Sequence, residues 1–279
     1  MDEMLSVTLG DRRYRIERPW GRLPEGMAIG HISQIAADSK GRVYLFRRAD
    51  PPVLVFEADG SYRGAWGEGL VADAHGIAIT PDDRILLVDR DAHQVMAFDT
   101  DGRELFRLGE RHRPRQGAPF NHPTDIAVAP SGDFYVSDGY GNTNVHRFDA
   151  AGRHVGTWGR PGSGPGEFTT PHGIWVTADG RVVVGDREND RIQVFSAEGE
   201  FLAIWTGVHR PMDIWGDPEG RIYVTDHVPA LVCWQDDGTP VGRCRPVWNG
   251  AHGLWGDPAG NIYLAEQQPA RITRMVPVS

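Results

Sequence analysis

One phrase recurs six times along this 279-residue chain. Its copies read "ISQIAADSKGRVYLF", "AHGIAITPDDRILLV", "PTDIAVAPSGDFYVSD", "PHGIWVTADGRVVVGD", "PMDIWGDPEGRIYVTD" and "AHGLWGDPAGNIYLAE". Each is an alternating strand, a turn rich in Asp, Pro and Gly, and a second strand. Most copies run on into a third strand ("VLVFEADG", "VMAFDTDG", "IQVFSAEG") and a fourth ("YRGAWGE", "HVGTWGR", "FLAIWTG"). The copies start 40 to 49 residues apart. Four short strands at that period are the signature of a propeller blade. The 35 glycines and 20 prolines supply the turns that so many strands need. The expectation is an all-β, six-bladed β-propeller in one domain, residues 1–279. A barrel or a sandwich would not need the repeat.

The phrasing "G-x-hydrophobic-hydrophobic-V-x-D" followed by "R-hydrophobic-Q-V-F" resembles NHL repeats over nearly the whole chain. The last copy, from His252, lacks a fourth strand. The segment "YRIERPWGRLPEG" near the start reads like "GRHVGTWGRPGSG" of a later blade, with Trp20-Gly21 matching Trp158-Gly159. The strand Tyr14–Trp20 is therefore expected to close the last blade and remove an open edge.

Charge narrows the partners. With 29 Lys and Arg against 38 Asp and Glu, the formal charge is −9 and the basic residues form no stripe. That argues against nucleic acid. No apolar run is long enough to span a membrane, and the first twenty residues lack the layout of a signal peptide. A cytoplasmic protein with no membrane partner is expected. Cys233 and Cys244 match no common zinc spacing and are expected to be free thiols.

The second residue of each copy reads Ser33, His75, Thr124, His172, Met212, His252. First strands line the channel of a propeller, so histidines in blades two, four and six converge on the axis from three directions. A lone "PHG" histidine is more often structural. An alternating triplet in a given column arises by chance at a rate of roughly 10⁻⁴. Three imidazoles without a carboxylate point to zinc with one position open, and iron, cobalt or nickel share that ligand preference. A second column, at the ends of the second strands, reads Arg48, Arg90, Gly139, Arg187, His227, Gln267. Its arginines point to a carboxylate-bearing substrate, small molecule or peptide. The plainer reading is that each pairs with a nearby acid, as Arg90 can with Asp89 or Asp91. Tyr140, in "SDGYGNTN", lies one residue beyond this ring.

"NHPTDIAVAPSGDFYVSDGYGNTNVHRF" followed by "TTPHGIWVTADGRVVVGDRENDRIQVF" resembles the peptidyl-α-hydroxyglycine α-amidating lyases. That resemblance implies a six-bladed propeller that splits an α-hydroxyglycine into an amide and glyoxylate at a three-histidine zinc. It places the zinc ligands at His75, His172 and His252, the catalytic tyrosine at Tyr140, and substrate-binding arginines at Arg187, in "DREN", and Arg48, in "FRRAD". Two departures stand out. Gly141 replaces the cysteine that follows the tyrosine in secreted members, which removes half a disulfide. Gly253 replaces the aspartate that helps hold a structural calcium, which puts that ion in doubt. Two other readings stay open: a zinc hydrolase acting on an ester, lactone or amide at the same histidines, and a non-catalytic NHL scaffold. A hydrolase would more often show a carboxylate base in the channel. A scaffold needs neither the histidine triplet nor the channel arginines.

Overall fold

The computed structural model describes residues 5–278. Six antiparallel sheets form a closed ring, and each inner strand packs on the inner strands of both neighbours. The inner strands of blades one to six are Ile32–Ala37, Ala74–Ile79, Asp125–Val128, Pro171–Val176, Asp213–Gly216 and Ala251–Gly256. The one helical element among the described residues is a three-residue 3₁₀ turn, Arg187–Asn189.

Second strands such as Ile85–Asp89 and Val182–Asp186 are buried along their full length. They lie between neighbouring blades and touch apolar surface on both faces, so the sequence there runs apolar without alternation. Outer strands such as Glu104–Leu108 and His154–Trp158 face solvent and do not. The core sits between blades: Tyr44 and Phe46 of blade one, for example, pack with Ile77, Ile85 and Met96 of blade two.

Aromatic rings on turn glycines join every blade but the fifth to the next. Trp158, at the end of the outer strand of blade three, lies over Gly199 of blade four, and Trp205 of blade four lies over Gly238 of blade five. A Cβ on Gly199 or Gly238 would come within 2.6 Å or 2.3 Å of the indole beneath it. Both glycines also have φ near +90°, a region that other L-residues avoid. Trp66 meets Gly102, and Trp20 meets Gly60, in the same way.

The chain start closes blade six, with two differences from expectation. The closing strand is Arg12–Glu17, registered from Arg13↔Val278 to Glu17↔Arg274. Pro19 has no N–H to give and stops the ladder, so Trp20 lies beyond the strand, although its own N–H still reaches the Ile272 carbonyl at 2.9 Å. Outside it lies a further strand, Ser6–Leu9, which makes blade six five-stranded. Nothing in the repeat announced this strand.

Candidate metal centre

The inner strands of blades two, four and six bulge where the histidines sit. Ala74 pairs with Asp89 and Ile77 with Leu87, which leaves His75 and Gly76 opposite one residue. The pattern repeats at His172-Gly173, and His252 is the extra residue of blade six. A bulge re-aims a side chain. These three histidines face the axis, and blade one bulges at the same level, where Ser33 is the extra residue. The glycine after each histidine is a matter of space. A Cβ on Gly173 would lie 2.7 Å from the Met212 carbonyl oxygen and 2.8 Å from the Asp213 Cα. One on Gly253 would lie 2.5 Å from the Gln34 Oε1. The "HG" pair thus lets the next blade's inner strand close up, and the aspartate missing at 253 has no room.

One ligand nitrogen from each of His75, His172 and His252 lies within 4.8 Å of the others. The ring centroids are 4.8 to 5.3 Å apart. The His172 Nδ1–H donates to the Met212 carbonyl at 2.6 Å, and the His252 Nδ1–H donates to the Ser33 carbonyl at 2.8 Å. These bonds fix the tautomer and leave Nε2 with its lone pair free. Burial holds all three imidazoles neutral. It pushes the His75 and His172 pKa values well below the usual 6.5, and that of His252 down to about 3. Three buried, neutral imidazoles, two of them held through Nδ1, fit a divalent transition metal. A carbonyl in the next blade's strand as an anchor is a role sequence reasoning missed, because any residue type can supply it.

Gly173→Ala should push the Met212 carbonyl off His172. We expect a 10- to 100-fold loss of metal affinity, of the order seen when a ligand's hydrogen-bond partner is lost. The cost in stability should be about 1–3 kcal/mol from overpacking. Metal competition and thermal melting read the two effects separately.

Tyr140 caps the cluster. It is 38% exposed, yet its hydroxyl lies 3.2 Å from the His75 Nε2 and 3.0 Å from the His172 Nε2. The Arg187 guanidinium donates to the same oxygen at 3.1 Å. Arg187 and Arg90 stand over the phenol ring at 5.1 and 5.4 Å. Met212, His227 and Gln267, from the same two columns, line a cavity of about 230 Å³ beside His252.

All three channel arginines have acidic partners. Arg187 pairs with Glu188, its Nε donating at 2.9 Å. Arg90 pairs with Asp91, as the plainer reading had it, and also with Asp73. Arg48 donates to Asp73 at 2.8 Å. Asp73 is thus a carboxylate at the metal mouth, two residues before His75, that the sequence reading did not single out. Burial pushes its pKa up against the pull of Arg48 and Arg90. Its position just before a strand, outside both repeat columns, gave no signal.

Both cysteines are unpaired, and burial pushes each thiol up to about 12. Among the described residues no helix is long and apolar enough to cross a membrane.

Six blades closed in a ring around an axial histidine triplet define a six-bladed β-propeller. A family model described as a six-bladed β-propeller matches residues 118–206. NHL repeat-containing protein 3 of Mus musculus is 31% identical, over 79% of this chain and 68% of that protein. The chain belongs to this NHL-repeat family. It is also similar to the peptidylglycine α-amidating monooxygenase of Rattus norvegicus (32% identity, 65% of this chain, 24% of that protein). A further relative is the peptidyl-α-hydroxyglycine α-amidating lyase 1 of Drosophila melanogaster (29% identity, 67% of this chain, 36% of that protein). The chain therefore spans about a quarter and about a third of those two proteins. Among solved structures, a gluconolactonase from Xanthomonas campestris superposes with a TM-score of 0.73 at 15% identity, over 97% of this chain and 91% of that one. A virginiamycin B lyase from Staphylococcus aureus does so with a TM-score of 0.65 at 14% identity, over 100% and 97%. At such identities the likeness is one of fold.

Proposed function

We propose that this protein is a zinc-dependent carbon–nitrogen lyase that cleaves an α-hydroxyglycine-type substrate into an amide and glyoxylate. The observation that carries the reading is the Tyr140 hydroxyl, held against two neutral histidines and one guanidinium. The similarity to proteins named as amidating lyases supports it.

A metal held by His75, His172 and His252, zinc by ligand type, would supply a Lewis acid that acidifies a hydroxyl beside it. The chain's own residues do the rest. The substrate carboxylate meets Arg187 and Arg48, which trade part of their pairing with Glu188 and Asp73 for it. Tyr140 takes the proton of the substrate hydroxyl. Arg187, 3.1 Å from the phenol oxygen, offsets the negative charge on that oxygen before it takes the proton and again once it has given the proton up. The hydroxyl oxygen's electrons form the aldehyde C=O, the C–N bond breaks, and its electron pair goes to the amide nitrogen. Tyr140 returns its proton there. No redox partner enters the balance.

Arg187→Ala should lower kcat/KM by about 2–4 kcal/mol, a factor of roughly 30 to 1,000, with metal content unchanged. Arg187→Lys should restore only part of that, because an ammonium lacks the planar fork. A second reading, metal-dependent hydrolysis, is favoured by the place of Asp73, a carboxylate at the mouth of the histidine cluster held by Arg48 and Arg90. One experiment separates the two. Glyoxylate release from α-hydroxyhippurate is compared with turnover of its methyl ester and of simple lactones. A lyase should lose the ester as a substrate and tolerate Asp73→Asn better than Arg187→Ala. Turnover of the lactones, equal on acid and ester and abolished by Asp73→Asn, would reject the lyase.

A further inference from the structure

The channel has two ends, and the histidines face only one. The other opens as a funnel of about 770 Å³. Its walls are Trp175, Trp215 and Trp255, the fifth residues of the repeat phrase in blades four to six, where blades one to three carry alanine. No lysine or arginine lines it, whereas Asp83, Asp179, Asp217 and Asp257 ring its mouth. Arg181 and Arg12 pair with two of these carboxylates, Asp179 and Asp217, and neither arginine lines the funnel.

The funnel narrows to a chamber of about 140 Å³ that shares its three tryptophans and ends on Gln34, Asp125 and Asp213. These belong to blades one, three and five, at the level where blades two, four and six carry glycine. Their side chains take the space the glycines leave: the Asp125 Oδ1 lies 2.6 Å from where a Cβ on Gly76 would stand. Asp125 is 5% exposed and Asp213 2%. The Asp125 Oδ2 accepts the Ile174 N–H at 3.1 Å. Its Oδ1 is buried and accepts no hydrogen bond. A carboxylate oxygen buried against Gly76 without a hydrogen-bond partner is costly.

We propose that this end of the channel is a second binding site, for a primary alkylammonium ion, with its nitrogen on Asp125 and Asp213 and its stem between the tryptophans. Charge sets the head group. Burial raises both carboxyls above the usual carboxylate range, and a cation placed between them favours their charged forms. Indole faces attract an organic cation and add to its affinity, but give nothing to a small hard ion that needs six or more oxygens. Length follows from strand geometry. Asp213 and Trp215 are two residues apart on one strand, about 7 Å, a span that a stem of four or five carbons covers. A free amine and a lysine side chain of a docked peptide share this chemistry.

Calorimetry on the metal-loaded protein tests it, with n-butylammonium chloride as probe and n-butanol and calcium chloride as controls. We expect saturable one-to-one binding of n-butylammonium, at least tenfold tighter than n-butanol. It should be weakened at least tenfold by Asp125→Asn and by Trp175→Ala, and left unchanged by Arg187→Ala at the other mouth. Should Asp125→Asn not fold, as judged by circular dichroism, the half-buried Trp175 carries the comparison. The proposal is overturned if n-butylammonium does not saturate, if n-butanol binds as well, if calcium binds and the amine does not, or if Trp175→Ala leaves the affinity intact. An acetylated-lysine peptide beside its unmodified form tells a peptide source from a free amine: discrimination between the two supports a docked lysine, and binding of n-butylammonium alone supports the free amine.

Discussion

His172→Ala protein, purified beside the wild type, should carry less than one-tenth of its bound metal and show no measurable turnover. The expectation rests on the whole cluster. His172 is one of three ligands, it is fully buried, and its Nδ1 is already held by Met212. Losing a mere hydrogen-bond partner of a ligand costs 10- to 100-fold in metal affinity, so losing the ligand should cost more than 100-fold. Alanine removes volume as well as a donor, so melting temperature must be followed too. The hole opens on the channel, not into the core between blades, and stability should change by less than about 2 kcal/mol. Elemental analysis of the folded variant decides the matter. Full metal content would mean that the histidine column is a packing feature and would remove the basis of the proposed chemistry.

Removing residues 1–20 should leave no stable fold at all. That segment carries Leu9, Tyr14, Ile16 and Trp20, all less than 10% exposed. Truncating one such side chain typically costs about 2–5 kcal/mol, so four cost about 8–20 kcal/mol, which matches the roughly 5–15 kcal/mol that holds an ordinary domain together. The deletion also unpairs the edge of Ala270–Val278, along which Arg12–Glu17 is laid, and an exposed edge invites association. Gel filtration and circular dichroism of the truncated chain should report aggregate or unfolded protein. A monomer melting within a few degrees of wild type would show that the ring closes without its latch.

How far the sequence reached can be judged residue by residue. The six blades and the meeting of His75, His172 and His252 were legible because the repeat gives each position a fixed place on the ring. A column in the alignment is a level on the axis. Tyr140 and Arg187 were legible through resemblance to a known lyase. Of the acidic partners, only Asp91, beside Arg90, was. Asp73 and Glu188 lie outside the columns, and which guanidinium a carboxylate meets depends on side-chain direction across a blade boundary. The strand Ser6–Leu9 was missed because it belongs to no repeat. The three tryptophans of the far funnel stand in the alignment but drew no reading, since an indole on an inner strand looks the same whether it packs a core or lines a mouth.

The latch also bears on synthesis. Glu17 finds its partner Arg274 across 257 residues of chain. Five blades can form as their hairpins leave the ribosome, because their contacts lie within one repeat or the next. Blade six cannot, since its outer strands are made first and its other strands last. Through most of translation the start of the chain therefore stays a loose end with Tyr14 and Ile16 uncovered. The ring shuts in one late step whose loop-closure entropy is the largest in the molecule. A nascent chain stalled shortly before Ala270 would be an open crescent, and a chaperone that binds exposed strands would have its longest opportunity there.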